Sequence, residues 1–210
     1  MRMLSIDLTV IVAAYVLGCV QTGYYLVRSS TGRDLRRMGS GATGARNAGR
    51  VLGRKGFVLT LLGDMAKGAL AMALAVWLHA SPWAAAAALV AVAAGHVWPV
   101  QLRFSGGRGV AVALGALAVY EPRLLAVLAA VALFGCLAGR SFQSSGLCGF
   151  AALPFGAAWL GLPGAGLAAI SALSLLVLFA HRSHIARCLR PAQATNDGGP
   201  AATSGDKEHE

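Results

Sequence analysis

Residues 95–109 read Gly-His-Val-Trp-Pro-Val-Gln-Leu-Arg-Phe-Ser-Gly-Gly-Arg-Gly, and an apolar run stands on each side of them. The stretch ends in a cluster of three glycines, namely Gly106, Gly107 and Gly109. Glycines lack a Cβ atom, so backbone N–H groups there can approach an anion closely. Arg108 adds a planar, permanent positive charge that suits phosphate or carboxylate. The stretch indicates either a tight basic turn between two membrane spans or a phosphate site.

The composition around this stretch is that of a membrane protein. Of the 210 residues, 57% are hydrophobic and only 12% are charged, which excludes an ordinary soluble domain. Several apolar stretches approach the roughly 20 residues that a helix needs to cross a bilayer. The formal net charge is +10, but the basic residues lie between apolar segments, with few neighbours that could read bases. We therefore expect the lipid bilayer, and no nucleic acid, as a partner.

Seven apolar segments predict an all-α polytopic helix bundle in the membrane. They cover residues 5–27, 57–78, 83–102, 109–120, 123–139, 146–161 and 164–180. The fourth segment is too short for a full crossing at about 1.5 Å per residue, so we expect a half-span or a helix packed inside the protein. We expect residues 1–190 to form the membrane-embedded domain. Residues 191–210 offer little apolar surface to bury, which predicts a disordered cytoplasmic tail.

The basic residues predict the orientation of the bundle. Most of the 18 lysines and arginines lie in alternate connections, eight of them within residues 28–55. By the positive-inside rule, these connections are cytoplasmic, the N-terminus is outside and the C-terminus is inside. The four cysteines are scattered, without a Cys-x-x-Cys pair or a nearby histidine pair. We therefore expect them to pack as small side chains and predict no metal site.

Asp64 and Lys67 are charges that lie clearly within a predicted span. Three residues apart on a helix, they share a face and can pair. Charges inside a membrane are costly and are often functional. Both an ion pair that braces a site from behind and a direct catalytic role fit this pattern.

Residues 39–50 form a second cluster of glycines and arginines, Gly-Ser-Gly-Ala-Thr-Gly-Ala-Arg-Asn-Ala-Gly-Arg. On a helix that begins near Thr43, Arg46 and Arg50 would share a face. The Gly-Ser-Gly turn would lie at the positive N-terminal end of that helix, where anions bind. Ser40 could be a nucleophile in principle. Since no carboxylate completes a Ser-His-Asp arrangement and Gly-x-Ser-x-Gly is absent, a hydrogen bond from Ser40 to phosphate is favoured.

Residues 181–187, His-Arg-Ser-His-Ile-Ala-Arg, form a third cluster directly after the last apolar segment. A basic run in this place indicates, on its own, only an anchor that sets the orientation. All three clusters are predicted to lie on the cytoplasmic side. Their combination is therefore more informative than any one of them.

Taken together, the clusters resemble the three motifs of the bacterial acyl-phosphate-dependent glycerol-3-phosphate acyltransferases. Residues 39–50 resemble Gly-Ser-Gly-Asn-x-Gly-Ala-Thr-Asn-x-x-Arg, and residues 95–111 resemble Gly-His-x-x-Pro-Val followed by Phe-Lys-Gly-Gly-Lys-Gly-Val-Ala. Residues 181–187 resemble His-Arg-x-Asn-Ile-x-Arg, and the resemblance covers about residues 5–190. This chain departs from the motifs at five positions, Ala42, Arg46, Ser105, Arg108 and His184.

The resemblance implies a multi-pass enzyme of the bacterial cell membrane that needs no cofactor. Its substrates would be acyl phosphate and glycerol 3-phosphate, whose 1-hydroxyl group would receive a fatty acyl group to give lysophosphatidic acid. It implies catalytic roles for Ser40, Arg108 and His96, with His96 orienting or deprotonating the acceptor hydroxyl. The residues implied in binding substrate phosphates are Gly41, Asn47, Arg50, Gly106, Gly107, Gly109 and His184.

Two alternatives stay open at this point. A transporter or channel for an anionic solute would also use intramembrane charge, although such proteins usually carry internal repeats, which this sequence lacks. The five departures also allow a catalytically altered or inactive member of the family. As for the donor, glycerolipid acyltransferases that use thioesters typically carry His-x-x-x-x-Asp. No histidine here has an aspartate five positions on, which favours acyl phosphate.

Overall fold

The chain forms a helical bundle, as its apolar segments predict. The computed structural model describes residues 2–189, so the predicted tail at 191–210 lies outside the described residues. Two single 3-10 turns, Leu35–Arg37 and Val100–Leu102, precede the two glycine-rich loops. The α-helices in the described range are α1 (Arg2–Cys19), α2 (Thr22–Thr31), α3 (Ala45–Trp77), α4 (Pro82–Val97), α5 (Val110–Tyr120), α6 (Arg123–Leu137), α7 (Phe142–Trp159), α8 (Gly164–Ala180) and α9 (Arg182–Leu189).

Each predicted apolar segment corresponds to helix, but the helices differ in their capacity to cross a bilayer. Within residues 2–189, three stretches are long and apolar enough by themselves: Met3–Thr31, Ala45–Trp77 and Pro82–Leu102. The pair α8 and α9, bent by 67°, would be a fourth. The number of crossings and the orientation of the termini stay predictions.

Helix α3 is longer than the sequence pattern suggested. The helix expected near Thr43 and the apolar segment 57–78 are parts of one element of 33 residues, which begins at Ala45 with Gly44 as its N-cap. The two parts meet at a kink, where Gly53 has a φ of 66° and a ψ of −158°. A left-handed φ of this kind costs glycine little. The kink therefore joins the basic N-terminal part of α3 to its apolar C-terminal part.

The short helix α5 packs against α3, in agreement with the second of the two alternatives that its length left open, a half-span or a helix packed inside the protein. It has 11 residues, and one face, which includes Val112, is buried. Its contact with α3 depends on two glycines. A Cβ atom at Gly68 would lie 2.1 Å from the carbonyl oxygen of Val112, and one at Gly115 would lie 1.9 Å from that of Met65. Close backbone approach through small residues is the usual packing mode in membranes.

Single cysteines test the orientation. Arg33 and His79 are exposed and flank opposite ends of α3. In a background without the native cysteines, His79→Cys should react with a membrane-impermeant thiol reagent in intact cells. Arg33→Cys should react only after permeabilisation, because the basic stretch 28–55 is expected inside. Labelling of Arg33→Cys in intact cells would overturn the orientation.

Candidate active site

The two glycine-rich loops contact each other at the break between α1 and α2. The Thr43 N–H donates to the carbonyl oxygen of Gly106 at 3.3 Å. The Thr43 hydroxyl donates to Gln21 Oε1 at 2.6 Å, and Gln21 Nε2 donates to the carbonyl oxygen of His96 at 3.1 Å. Gln21 and Thr43 are fully buried. These bonds fix the first motif against the second.

Asn47 organises the first loop from the first turn of α3. Its Nδ2 group donates to loop carbonyl oxygens, those of Leu35, Met38 and Ala42, at 3.2, 2.9 and 2.9 Å. Its Oδ1 atom accepts from the Ser40 N–H at 3.1 Å. Gly39 fits beside it because a Cβ atom there would lie 2.2 Å from Oδ1. The contacts seen for Asn47 hold the loop, and a contact with substrate phosphate stays a prediction.

Ser40 and Gly41 lie on the first loop, and Arg50 lies beside it. The Ser40 side chain is exposed, and Gly41 has a left-handed φ of 72°. Arg50 passes beside the loop, since a Cβ atom at Gly39 would lie 3.6 Å from Arg50 Cδ. The structure thus brings Ser40 and Arg50, which lie ten positions apart, to one surface.

The second loop packs tightly over the end of α4. The Gly106 N–H donates to the carbonyl oxygen of Val97 at 3.2 Å, and the Gly107 N–H donates to that of His96 at 3.0 Å. These two amides are therefore engaged within the protein. A Cβ atom at Gly107 would lie 2.0 Å from His96 Nε2, so the glycine also lets the loop cover the imidazole. Gly109, with a φ of 83°, is the N-cap of α5.

His96 lies beneath this loop in a network of charged side chains. Only 2% of the residue is exposed. Its Nδ1 atom is 2.9 Å from Lys67 Nζ, which is in turn 3.0 Å from Asp64 Oδ1. The predicted pairing of Asp64 with Lys67 is confirmed. An ammonium group can only donate, so Nδ1 of His96 accepts and its ring proton is on Nε2, next to Gly107.

Lys67 also stabilises the break in the first span. Its Nζ donates to the carbonyl oxygen of Gly18 at 3.1 Å and to that of Val20. Gln101 donates to the carbonyl oxygen of Cys19. Carbonyl groups that a broken helix leaves without an intrahelical partner must be satisfied inside a membrane. Here Lys67 of α3 and Gln101 of the second motif donate to these carbonyl groups.

Four arginines converge near the loops, namely Arg46, Arg50, Arg108 and Arg187. Partial burial, followed by the charges of the other three arginines, lowers the pKa of Arg108 below its ordinary value. None of the four is in a salt bridge within the described part of the chain. Like charges that are held together without acidic partners create a potential that favours anions. The cluster is therefore a candidate phosphate site.

The start of α7 completes the surface with residues that the sequence did not single out. Arg46 donates to Gln143 Oε1, and Ser144 Oγ is 3.3 Å from Nε2 of His184 on α9. Partial burial, and then the nearby charges of Arg187, Arg108 and Arg46, lower the pKa of His184. In the sequence, Gln143 and Ser144 could have been found from the polar run at 140–145, which lies between two apolar segments.

Comparison with known proteins identifies similar sequences over nearly the whole chain. The family model for glycerol-3-phosphate acyltransferase matches residues 8–191. Glycerol-3-phosphate acyltransferase 1 of Desulfitobacterium hafniense is 46% identical over 184 residues, which cover 88% of this chain and 91% of the relative. The glycerol-3-phosphate acyltransferase of Syntrophotalea carbinolica is 39% identical over 186 residues, which cover 87% and 94%.

Two solved structures share the fold. The crystal structure of PlsY (YgiH), an integral membrane glycerol 3-phosphate acyltransferase, in its glycerol 3-phosphate form superimposes with a TM-score of 0.80 at 31% identity. The match covers 87% of this chain and 92% of that one. The lysophosphatidic acid form superimposes with a TM-score of 0.77 at 28% identity, with 87% and 91% covered.

Proposed function

Because this chain belongs to the glycerol-3-phosphate acyltransferase family, we propose that it transfers a fatty acyl group from acyl phosphate to the 1-hydroxyl group of glycerol 3-phosphate. The product is lysophosphatidic acid. Family membership makes the chain an integral membrane acyltransferase and leaves the transporter alternative without support. The observation that carries the proposal is the unpaired arginine cluster beside the two glycine-rich loops, since both substrates bear phosphate.

The reaction forms one bond and breaks another at the acyl carbonyl carbon. The glycerol oxygen attacks that carbon, the bond from the carbon to the phosphate oxygen breaks, and inorganic phosphate leaves. The hydroxyl proton goes to the released phosphate. Because acyl phosphate is already activated, the protein has to position the two substrates and stabilise the charge on the leaving group.

The arginines and the first loop supply these functions in our proposal. Arg108 and Arg50 bind phosphate oxygens through charge-assisted hydrogen bonds, and Ser40 donates from the exposed edge of the loop. The remaining proposed contacts with substrate phosphates come from Gly41, Asn47, Gly106, Gly107, Gly109 and His184. In the structure the side chain of Asn47 and the amides of Gly106 and Gly107 hold the loops, so their proposed contribution includes keeping the site in shape.

His96 acts as a positioning residue in this proposal. Its ring is buried, its Nδ1 atom accepts from Lys67, and its Nε2 atom lies against Gly107. With the proton on Nε2, the ring is able to donate a hydrogen bond on that side but has no free acceptor for a hydroxyl proton. This geometry supports the orienting role over the role of a base.

The donor is tested with purified protein and two substrates. Palmitoyl phosphate and glycerol 3-phosphate should give lysophosphatidic acid, and palmitoyl-CoA should give little. The reason is that the chain lacks His-x-x-x-x-Asp but carries arginines suited to a phosphate leaving group. Robust turnover with the thioester alone would sink the assignment of the donor. A folded preparation that turns over neither donor would favour the catalytically altered family member.

A further inference from the structure

The kink in α3 creates a groove at the cytoplasmic edge of the bundle. The groove has a volume of about 400 Å³ and is lined by Arg46, Gly49, Arg50, Gly53, Arg54 and Phe57. Phe57 packs against Gly49 in this groove, and a larger residue would not fit there, because a Cβ atom at Gly49 would lie 2.9 Å from Phe57 Cβ. Three arginines and one phenylalanine thus contribute to the lining of one groove.

The groove lies where the basic half of α3 meets its membrane half. Directly beyond the kink, α3 presents apolar side chains: Phe57 is 37% exposed, Leu59 53% and Leu62 56%. Exposed apolar side chains on a membrane helix face lipid chains. An amphiphile could therefore place its head among the arginines while its chain follows α3 into the bilayer.

We propose that this groove binds the phosphate head of a single-chain lipid, with Arg54 as its outer contact. Arg46 and Arg50 also belong to the arginine cluster, so the groove is continuous with the candidate active site. This inference rests on the proposed function, in which the donor and the product are both single-chain lipids that end in phosphate. The groove is then the lateral route between the bilayer and the site.

The chain itself offers a matched control. Arg54 and Lys55 are adjacent, exposed and cationic, but Arg54 lines the groove and Lys55 does not. Arg54→Gln and Lys55→Gln remove the same charge from the same turn of the same helix. A general attraction of basic residues to anionic surfaces would be weakened equally in both variants, whereas loss of a groove contact would affect only Arg54→Gln.

The experiment measures binding of dodecyl phosphate, an unreactive single-chain phosphate, by calorimetry in a neutral maltoside detergent. The dissociation constant should rise about fivefold to tenfold in Arg54→Gln, as expected for one exposed charge-assisted contact, and should stay within about twofold in Lys55→Gln. Inorganic phosphate should bind more weakly than dodecyl phosphate, because it lacks the chain.

In turnover assays, the KM for palmitoyl phosphate should rise in Arg54→Gln while the KM for glycerol 3-phosphate stays unchanged.

Three results would overturn the groove proposal: equal binding in both variants, equal weakening in both, or inorganic phosphate binding as tightly as dodecyl phosphate. Unchanged thermal unfolding of Arg54→Gln shows that the comparison is between folded proteins. Because the binding measurement needs no reaction, it decides the groove proposal even if palmitoyl phosphate proves not to be the donor. Conversely, turnover of palmitoyl phosphate with unchanged binding in Arg54→Gln would refute the groove alone.

Discussion

Replacing Arg108 with alanine should lower turnover by two to three orders of magnitude. Arg108 lies in the second glycine-rich loop, one residue before the N-cap of α5, and three other arginines contribute to its surroundings. A charge-assisted hydrogen bond contributes about 1.5–3 kcal/mol, and a guanidinium can make two to one phosphate. If these bonds strengthen as the leaving phosphate gains charge, their loss falls mainly on kcat. Steady-state kinetics with palmitoyl phosphate measures the change.

Arg103 provides the matched control for this variant. It lies in the same loop and is exposed, and it is not among the charges that shift the pKa of Arg108. Arg103→Ala should therefore keep turnover within about threefold of the wild type, as a surface charge change normally does. The turnover of Arg108→Lys should lie between those of the wild type and Arg108→Ala, since lysine keeps the charge but not the planar fork. Wild-type kinetics in Arg108→Ala would remove Arg108 from the site.

The same substitution should not weaken the fold. Burial and three neighbouring arginines lower the pKa of Arg108, so its charged form is less favourable in the folded protein than in the unfolded chain. At neutral pH the side chain is charged in both states, and its charge therefore opposes folding. Arg108→Ala should unfold at the same or a higher temperature than the wild type. Loss of activity without loss of stability is the pattern expected of a residue kept for its ligand.

The sequence predicted the membrane helices well because their signal is local. Apolar length identified the stretches that form the bundle helices, and the short segment 109–120 was expected to be a half-span or to pack inside the protein. Segment 5–27 was expected to be one span, and its break into α1 and α2 was not predicted. The kink at Gly53 was not predicted, because one glycine within a helical pattern is compatible with a straight helix, a bend or an end. Helix α3 was accordingly divided into a motif helix and a separate span.

The sequence predicted the basic residues of the candidate site, but not the residues that hold the loops of the site in place. Arginines and glycines in motifs indicate anion chemistry by their type alone. The roles of Gln21, Thr43 and Gln143 depend on contacts across 22 to 97 positions, which no local pattern contains. Asn47 shows the same limit, since its position in a motif suggested a ligand contact and its hydrogen bonds hold the loop.

The second large effect is expected at Lys67, where methionine should destabilise the protein by about 3–5 kcal/mol, the usual cost of leaving one partner of a buried ion pair uncompensated. Only 6% of the lysine side chain and 1% of that of Asp64 are exposed. The variant also removes the donor to His96 Nδ1 and to two carbonyl oxygens at the break between α1 and α2. Chemical unfolding in detergent micelles measures the difference.

A control elsewhere in the bundle calibrates this value. Ser174, on α8, is also buried, and its hydroxyl donates to the carbonyl oxygen of Phe150 at 2.8 Å. This hydrogen bond is not part of the charged network of Asp64, Lys67 and His96. Ser174→Ala removes one neutral hydrogen bond and should cost only about 1–3 kcal/mol. If Lys67→Met costs no more than Ser174→Ala, the charged network does not stabilise the bundle.

The double variant distinguishes a structural role of the pair from a chemical one. In Asp64→Asn with Lys67→Met, no charge is left uncompensated, so the double variant should be more stable than Lys67→Met alone. The carbonyl oxygens at the break still lack their donor, so stability should not return fully to the wild-type value. If Lys67 acts by bracing the loop over His96, activity should recover together with stability. Recovered stability with activity still lost would show instead that the lysine takes part in the reaction beyond holding the site.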